Sequence, residues 1–277
     1  MYSQLWQVGL DIQMSFIRAL AVTRRRYGWQ LRYWWQQALP SGILQAGNLQ
    51  QPEALSERLC LLRKQLPQNI SLRIALPAQR ILQQTIPAPD KRLREPTRNE
   101  FIQLNAAKQF PLQSQTLALD YRDEIENNTE LLVTAARKQE IQCWQHCLQN
   151  AGLSPDVIDI APCALRYMAA AAGLSTEHIL VHRLESEWLW ASPLNTSFRY
   201  GLIPLTQDIF EQLRHAYPAK RDQPLKIYHS SIIDEQPPAN TISWSLFSAF
   251  KQFQPPLPAS PMAFTLAGGL AIRIADY

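Results

Sequence analysis

Cys143, His146 and Cys147 stand at i, i+3 and i+4, which on a helix puts three soft ligands on one face. No fourth ligand accompanies them, and buried cysteine commonly serves as a small hydrophobe, so packing is the expected role and no metal is expected. The five histidines form no HExxH, and there is neither a GxSxG nucleophile turn nor a GxxxxGKS/T phosphate loop. An independent enzyme of those classes is therefore not expected. Arg24, Arg25 and Arg26 form the densest basic run; its plain reading is a solvated turn, and its functional alternative is contact with an anionic lipid surface. Asp11 ends an apolar strand pattern, where a turn residue is ordinary.

The elements that must position these residues are legible from periodicity. Trp6, Val8, Leu10 and Ile12 alternate, as do Ile17, Ala19 and Ala21, and Trp29 to Trp35 gives a third strand after a polar turn. Adjacent Trp34 and Trp35 point to opposite faces, each expected under a helix. A helix over about 53–66 precedes strands at 70–76 and 81–86. Next come a helix over 97–110, a hairpin with its turn at 124–128, and a helix over 138–150 closed by Gly152. A short strand at 156–160 and a helix over 161–172 follow, and then the opening theme returns with strands near 179–181, 188–190 and 198–203. A helix over 206–217, a strand at 225–228 and an apolar helix over 262–274 complete the chain. Two halves that each begin strand–strand–strand–helix imply an internally duplicated α/β fold, with a small helix–hairpin–helix subdomain inserted in the first.

Length and composition agree. At 277 residues, 46% hydrophobic and 18% charged, the chain can bury a substantial core, and a net charge of +4 is too small to announce a nucleic-acid binder. Four cysteines are too few for a disulfide framework, and neither a signal peptide nor a bilayer-spanning run is present, so a cytoplasmic location is expected. Nine glycines against 20 prolines count against close backbone approach to phosphate.

The segments Val8-Gly9-Leu10-Asp11-Ile12, Arg98-Asn99-Glu100 through Leu119-Asp120-Tyr121, Ala151-Gly152-Leu153 with Val157-Ile158-Asp159, and Phe264 to Arg273 resemble the type IV pilus assembly protein PilM of the actin-like ATPase superfamily. The divergence is similar to that of the HofM branch, linked to DNA utilisation. The resemblance implies a duplicated actin-like (ribonuclease H-like) α/β fold, each half a mixed sheet flanked by helices, with a small α+β subdomain inserted in the first half. The expected divisions are 1–89 for the first half, 90–152 for the insertion and 153–277 for the second half. Within the last, 206–224 is a reduced excursion and the terminal helix returns to the core.

In that superfamily a nucleotide lies between the halves, against phosphate-binding turns rich in glycine. Here Asp11 and Ser15 are kept, but Gln13 and Met14 stand where PilM has small residues. The second turn, His182-Arg183-Leu184-Glu185-Ser186, lacks both Asp and Gly, and Glu185 and Glu187 would repel a polyphosphate. The third, expected after the strand at 225–228, is His229-Ser230-Ser231 in place of a Gly-Gly turn. Each lost amide contact to phosphate removes on the order of 1–3 kcal/mol, so a degenerate site without ATP or Mg²⁺, and no catalysis, is the expectation. Gly268-Gly269 falls in the terminal helix, where close helix packing explains it.

The resemblance further implies a cytoplasmic scaffold, peripheral to the inner membrane, that binds the N-terminal tail of a PilN-like bitopic inner-membrane protein. The groove would lie between the first half and the insertion. Phe101, Leu104 and Phe110 are candidates to line it, although most apolar positions of their helix are expected in the insertion's own core. Other platform proteins of the pilus and self-association stay open as partners. Two alternatives remain at this stage: a working ATP-binding ATPase of pilus assembly, and a direct nucleic-acid-binding module.

Overall fold

The computed structural model describes residues 5–123, 129–217 and 226–273. The chain opens with an antiparallel meander, β1 (Trp6–Ile12), β2 (Phe16–Arg25) and β3 (Gly28–Ala38). A two-residue hairpin, β4 (Leu44–Gln45) and β5 (Asn48–Leu49), leads to α1 (Pro52–Gln65), and β6 (Ile70–Leu76) then lies parallel to β1. Helix α1 starts where its chemistry asks it to, with Pro52 and Glu53 in the first turn, and Arg63 and Lys64 face the dipole's negative end.

The insertion follows as β7 (Leu82–Pro87), α2 (Thr97–Gln109), β8 (Leu117–Asp123) and β9 (Glu130–Arg137), forming a sheet in the order β7-β9-β8. Ile86, Ile102, Ala106, Phe110, Leu131 and Val133 bury a small core of its own. The chain returns through α3 (Lys138–Asn150) and β10 (Pro155–Ile160). Gly152, at φ +70°, ends α3 as read from sequence: its N–H donates to Gln149 O and that of Leu153 to Leu148 O, satisfying two terminal carbonyls.

The second half comprises α4 (Ala161–Ala171), β11 (Ile179–Arg183), β12 (Glu187–Ala191), β13 (Tyr200–Pro204), α5 (Ile209–Ala216), β14 (Ile227–Ser231) and β15 (Thr241–Ser243). Asp208 caps α5 by accepting from Phe210 N and Glu211 N. Strand β16 (Phe250–Phe253) then crosses to the outer edge of β3, and α6 (Thr265–Ile272) ends the described chain.

The duplication is explicit in the strand orders β3-β2-β1-β6-β10 and β13-β12-β11-β14-β15, each with two antiparallel pairings followed by two parallel ones. Helix α6 packs on β1 and β2 of the first sheet, α4 packs on β11 and β12 of the second, and the two helices pack on each other. Trp34 and Trp35 divide as expected: Trp34 stands edge-on to Phe264, while Trp35 packs on the opposite core.

Pairing moves the internal boundaries. β7, expected in the first half, hydrogen-bonds β9 and belongs to the insertion. Helix α3, expected in the insertion, buries Trp144, Cys147 and Leu148 in the same core as Leu55, Leu59 and Leu62 of α1. β10, expected to open the second half, pairs with β6 in the first sheet. The sequence order suggested cuts after residue 89 and after Gly152, whereas the first sheet takes β10 from beyond the insertion. The hairpin turn at 124–128 lies outside the described residues, as do residues 218–224 of the excursion over 206–224, whose described part is α5 and its flanks.

Candidate functional site

Two turns face one another where the halves meet. The first joins β1 to β2 and is closed by Gln13 N–H donating to Phe16 O at 2.9 Å. Asp11 beside it is only 3% exposed, and its Oδ1 accepts from Gln13 Nε2 at 2.7 Å. Burial raises its pKa to about 6, against the pull of Arg18 and the Gln13 hydrogen bond, and Glu185 adds repulsion. The second turn joins β11 to β12 and is closed by Leu184 N–H donating to Glu187 O at 2.9 Å. Leu184 is buried with Ala78, Ala161 and Ala164, so an isobutyl group fills the space a glycine would leave open.

The turns also bind each other. Ser15 N–H donates to both carboxylate oxygens of Glu185, at 2.9 and 3.1 Å. An amide on one half is thereby filled by a carboxylate from the other, a charge-assisted contact. Glu187 accepts from Gln79 Nε2 at 2.6 Å across the same cleft. The remaining space is about 250 Å³, lined by Gln13, Met14, Gly47, Gln79, Leu184 and Glu185 among others.

His229 and Ser230, expected in a turn after their strand, are instead part of β14, because the strand runs on to Ser231. They pair in register with Val181 and His182, and His182, Ser230 and His229 are all buried. His182 Nδ1 lies 2.8 Å from Ser230 Oγ. Burial lowers the His182 pKa to about 3, and burial with Arg183 lowers that of His229 to about 4. Burial thus disfavours the charged form of both rings; His182 packs in the sheet interior, and His229 Nε2 lies 3.6 Å from Glu235 Oε1.

The shifts of Asp11 and of the histidines act on stability in opposite directions as pH changes. Asp11 is raised, so its contribution to stability is full below pH 3.8 and is lost as pH rises through 6. The histidines are lowered, so theirs is full above pH 6.5 and falls as pH drops toward 3–4. The difference between wild type and Asp11→Asn isolates the first. Urea unfolding should show the variant more stable by about 1–3 kcal/mol at pH 8, with that gain gone at pH 4. A gain independent of pH would contradict the assignment.

A second concavity lies between the first half and the insertion. β8 is an edge of the three-stranded sheet and β10 an edge of the six-stranded one, and among the described residues no further strand pairs with either outer side. Both line a groove of about 180 Å³. Leu76, Ile81, Ala136 and Ile160 form its buried part, and Ala118, Leu119, Ile141 and Ile158 add half-buried apolar surface. Arg122 closes one side, its guanidinium over the Phe198 ring at 4.6 Å and its Nη1 donating to Cys163 Sγ at 3.4 Å. Asp159, at the same place, is ion-paired with Arg273.

The residues nominated from sequence for such a groove sit elsewhere. Phe110 is 6% exposed inside the insertion's core, Phe101 packs against that core, and Leu104 is 66% exposed on α2. None of the three lines the groove. Leu119 and Ile158, which do, carried only the signal of half-buried strand positions. Cys147 packs in the first core, with Ser56 Oγ at 3.2 Å from its sulfur, and among the described residues no three His, Cys, Asp or Glu side chains converge as metal ligands.

A family model for the type IV pilus assembly protein PilM matches residues 9–178. The chain is 26% identical over 189 residues to the DNA utilization protein HofM of Escherichia coli K12, covering 68% of this chain and 72% of that one. Among solved structures it is similar to the PilM-PilN type IV pilus biogenesis complex, with a TM-score of 0.73 at 16% identity and 98% of each chain covered. It is also similar to the cytoplasmic domain of EpsL, an inner-membrane component of the type II secretion system of Vibrio cholerae. There the TM-score is 0.55 at 12% identity, over 94% of this chain and 93% of that one. The ethanolamine utilization protein EutJ of Carboxydothermus hydrogenoformans gives 0.52 at 11% identity, over 98% and 90%. With its two matching five-strand orders and inserted subdomain, the chain has the actin-like fold and belongs to the PilM family of type IV pilus assembly proteins.

Proposed function

We propose that this protein is a cytoplasmic scaffold of a type IV pilus-like DNA uptake or utilisation apparatus. It holds the N-terminal tail of a PilN-like inner-membrane protein in the groove between β8 and β10 and performs no nucleotide chemistry. The observation that carries the reading is the pair of free strand edges on one apolar groove. An extended peptide can hydrogen-bond to a strand edge through its main chain and place alternate side chains on the apolar surface, which gives both affinity and register. That the solved relative is a PilM-PilN complex supports the choice of partner.

Mg²⁺-ATP does not suit the facing turns. The Ser15 amide is held by Glu185, Gln13 lies on Asp11, Leu184 fills the second turn, and a second carboxylate stands at Glu187. A triphosphate would have to displace a bidentate carboxylate and then sit beside it.

Titration with a synthetic N-terminal tail of the PilN-like protein tests the first part. Binding in the micromolar range is expected, with slowed amide exchange in residues 117–123 and 155–160. No binding at high micromolar peptide overturns it. Calorimetry with Mg²⁺-ATP should give no heat of binding; a micromolar signal abolished by Asp11→Ala overturns the second part.

A further inference from the structure

We propose that the β2–β3 hairpin tip and the adjoining β16 edge form a contact surface for an anionic lipid bilayer. Charge on this chain is unevenly placed. Residues 12–52 and 236–275 contain seven Lys or Arg and no Asp or Glu, against 20 basic and 23 acidic residues in the rest of the chain. The small overall charge therefore conceals a wholly cationic edge, because these two segments supply β2, β3 and β16, which are neighbours in the sheet.

Four of those cations meet at one place. Residues 24–27 are all exposed, and Tyr27 at the tip is 74% exposed. The guanidinium of Arg24 stacks over Trp29 at 4.8 Å, and that of Arg26 over Tyr27 at 5.4 Å. Arg25 Nε donates to Gln30 Oε1 at 3.1 Å. Phe250 of β16 stands opposite Trp29, and the next residue, Lys251, lays its stem over Gly28, where an added Cβ would come 2.8 Å from its Cγ. The same edge continues into Phe253 and Leu257, 39% and 41% exposed.

The combination favours a membrane over a polynucleotide. Aromatic rings beside guanidinium groups suit the headgroup level of a bilayer, where an amphipathic ring and a snorkelling cation are both satisfied. Phe253, exposed two residues beyond Lys251 on the same strand, has no use along a phosphate backbone but can enter the acyl boundary. The inference does not depend on tail capture, because the hairpin tip and the groove share no residue.

The test is flotation of the 277-residue chain with vesicles of phosphatidylcholine alone or with 30% phosphatidylglycerol, the latter at low and high salt. Binding is expected only with the anionic lipid and should weaken as salt screens it. The triple variant Arg24→Gln, Arg25→Gln, Arg26→Gln should lower partitioning on the order of 100-fold, with unchanged circular dichroism and tail-peptide affinity. Should that variant misfold, Lys251→Gln with Tyr27→Ser must still weaken partitioning. Equal binding to both vesicle types, no binding to either, or no loss in the folded variants overturns the proposal. Tighter binding of the wild type to a DNA duplex than to anionic vesicles overturns it in favour of a nucleic-acid surface.

Discussion

Gly269→Val is expected to unfold the chain or to cost about 3 kcal/mol or more in urea denaturation, the upper end of what overpacking does. The reason lies in how α6 is held. A Cβ at Gly269 would fall 1.8 Å from the carbonyl oxygen of Ala164 in α4, and one at Gly9 would fall 1.9 Å from that of Ala267 in α6. One glycine faces each side of the helix, so α6 approaches β1 and α4 at backbone distance. No rotamer change relieves a clash with backbone; the helices must separate, and with them the two halves of the molecule. Leu266 and Leu270 are fully buried on the same helix, so separation would also expose apolar surface at about 25 cal/mol per Å². Gly173→Ala supplies the contrast. It sits at φ +75° with nothing within 4 Å of an added Cβ, so only the left-handed backbone is penalised, by about 1–2 kcal/mol. If the two variants lose the same stability, close approach is not what Gly269 provides.

That Gly268-Gly269 serves packing was readable from sequence, because two glycines inside an apolar helix have few other uses. The same holds for the strand meanders, the stop at Gly152 and the helix–strand order, all set by local periodicity and turn chemistry. What was not readable depends on pairing between distant segments. Nothing in residues 82–87 says whether they pair with β6 or β9, and nothing in 155–160 says that they complete the first sheet rather than begin the second. A buried strand also reads much like a loop when it carries polar residues: His229, Ser230 and Ser231 looked like a turn, yet their hydrogen-bonding capacity is partly met inside the sheet. In the turns, side-chain identity alone told that glycines were missing and that Glu185 brought a charge. That this carboxylate would rest on the Ser15 amide could not be read, since a backbone N–H has no letter in the sequence.

Leu119→Arg is expected to weaken tail-peptide binding by at least about 30-fold while costing the fold about 1–3 kcal/mol, because Leu119 also packs against the insertion's core. Leu119 is half-buried on an edge strand and lines the groove, so the charged head can reach water in the free protein. A bound peptide would cover it, and an unpaired guanidinium buried under a ligand is opposed by its desolvation. Ile158→Glu on β10 should act in the same way from the opposite wall, and the two substitutions should be less than additive, because either one already denies the groove. Leu104→Arg separates this site from the one that helix patterning suggested. It stands 66% exposed on α2 and away from the groove, so affinity should remain within twofold of wild type. The reverse outcome, binding lost in Leu104→Arg and kept in Leu119→Arg, would place the tail on the outer face of α2. The free edges of β8 and β10 would then need another occupant, since exposed strand edges beside apolar surface invite pairing with other chains.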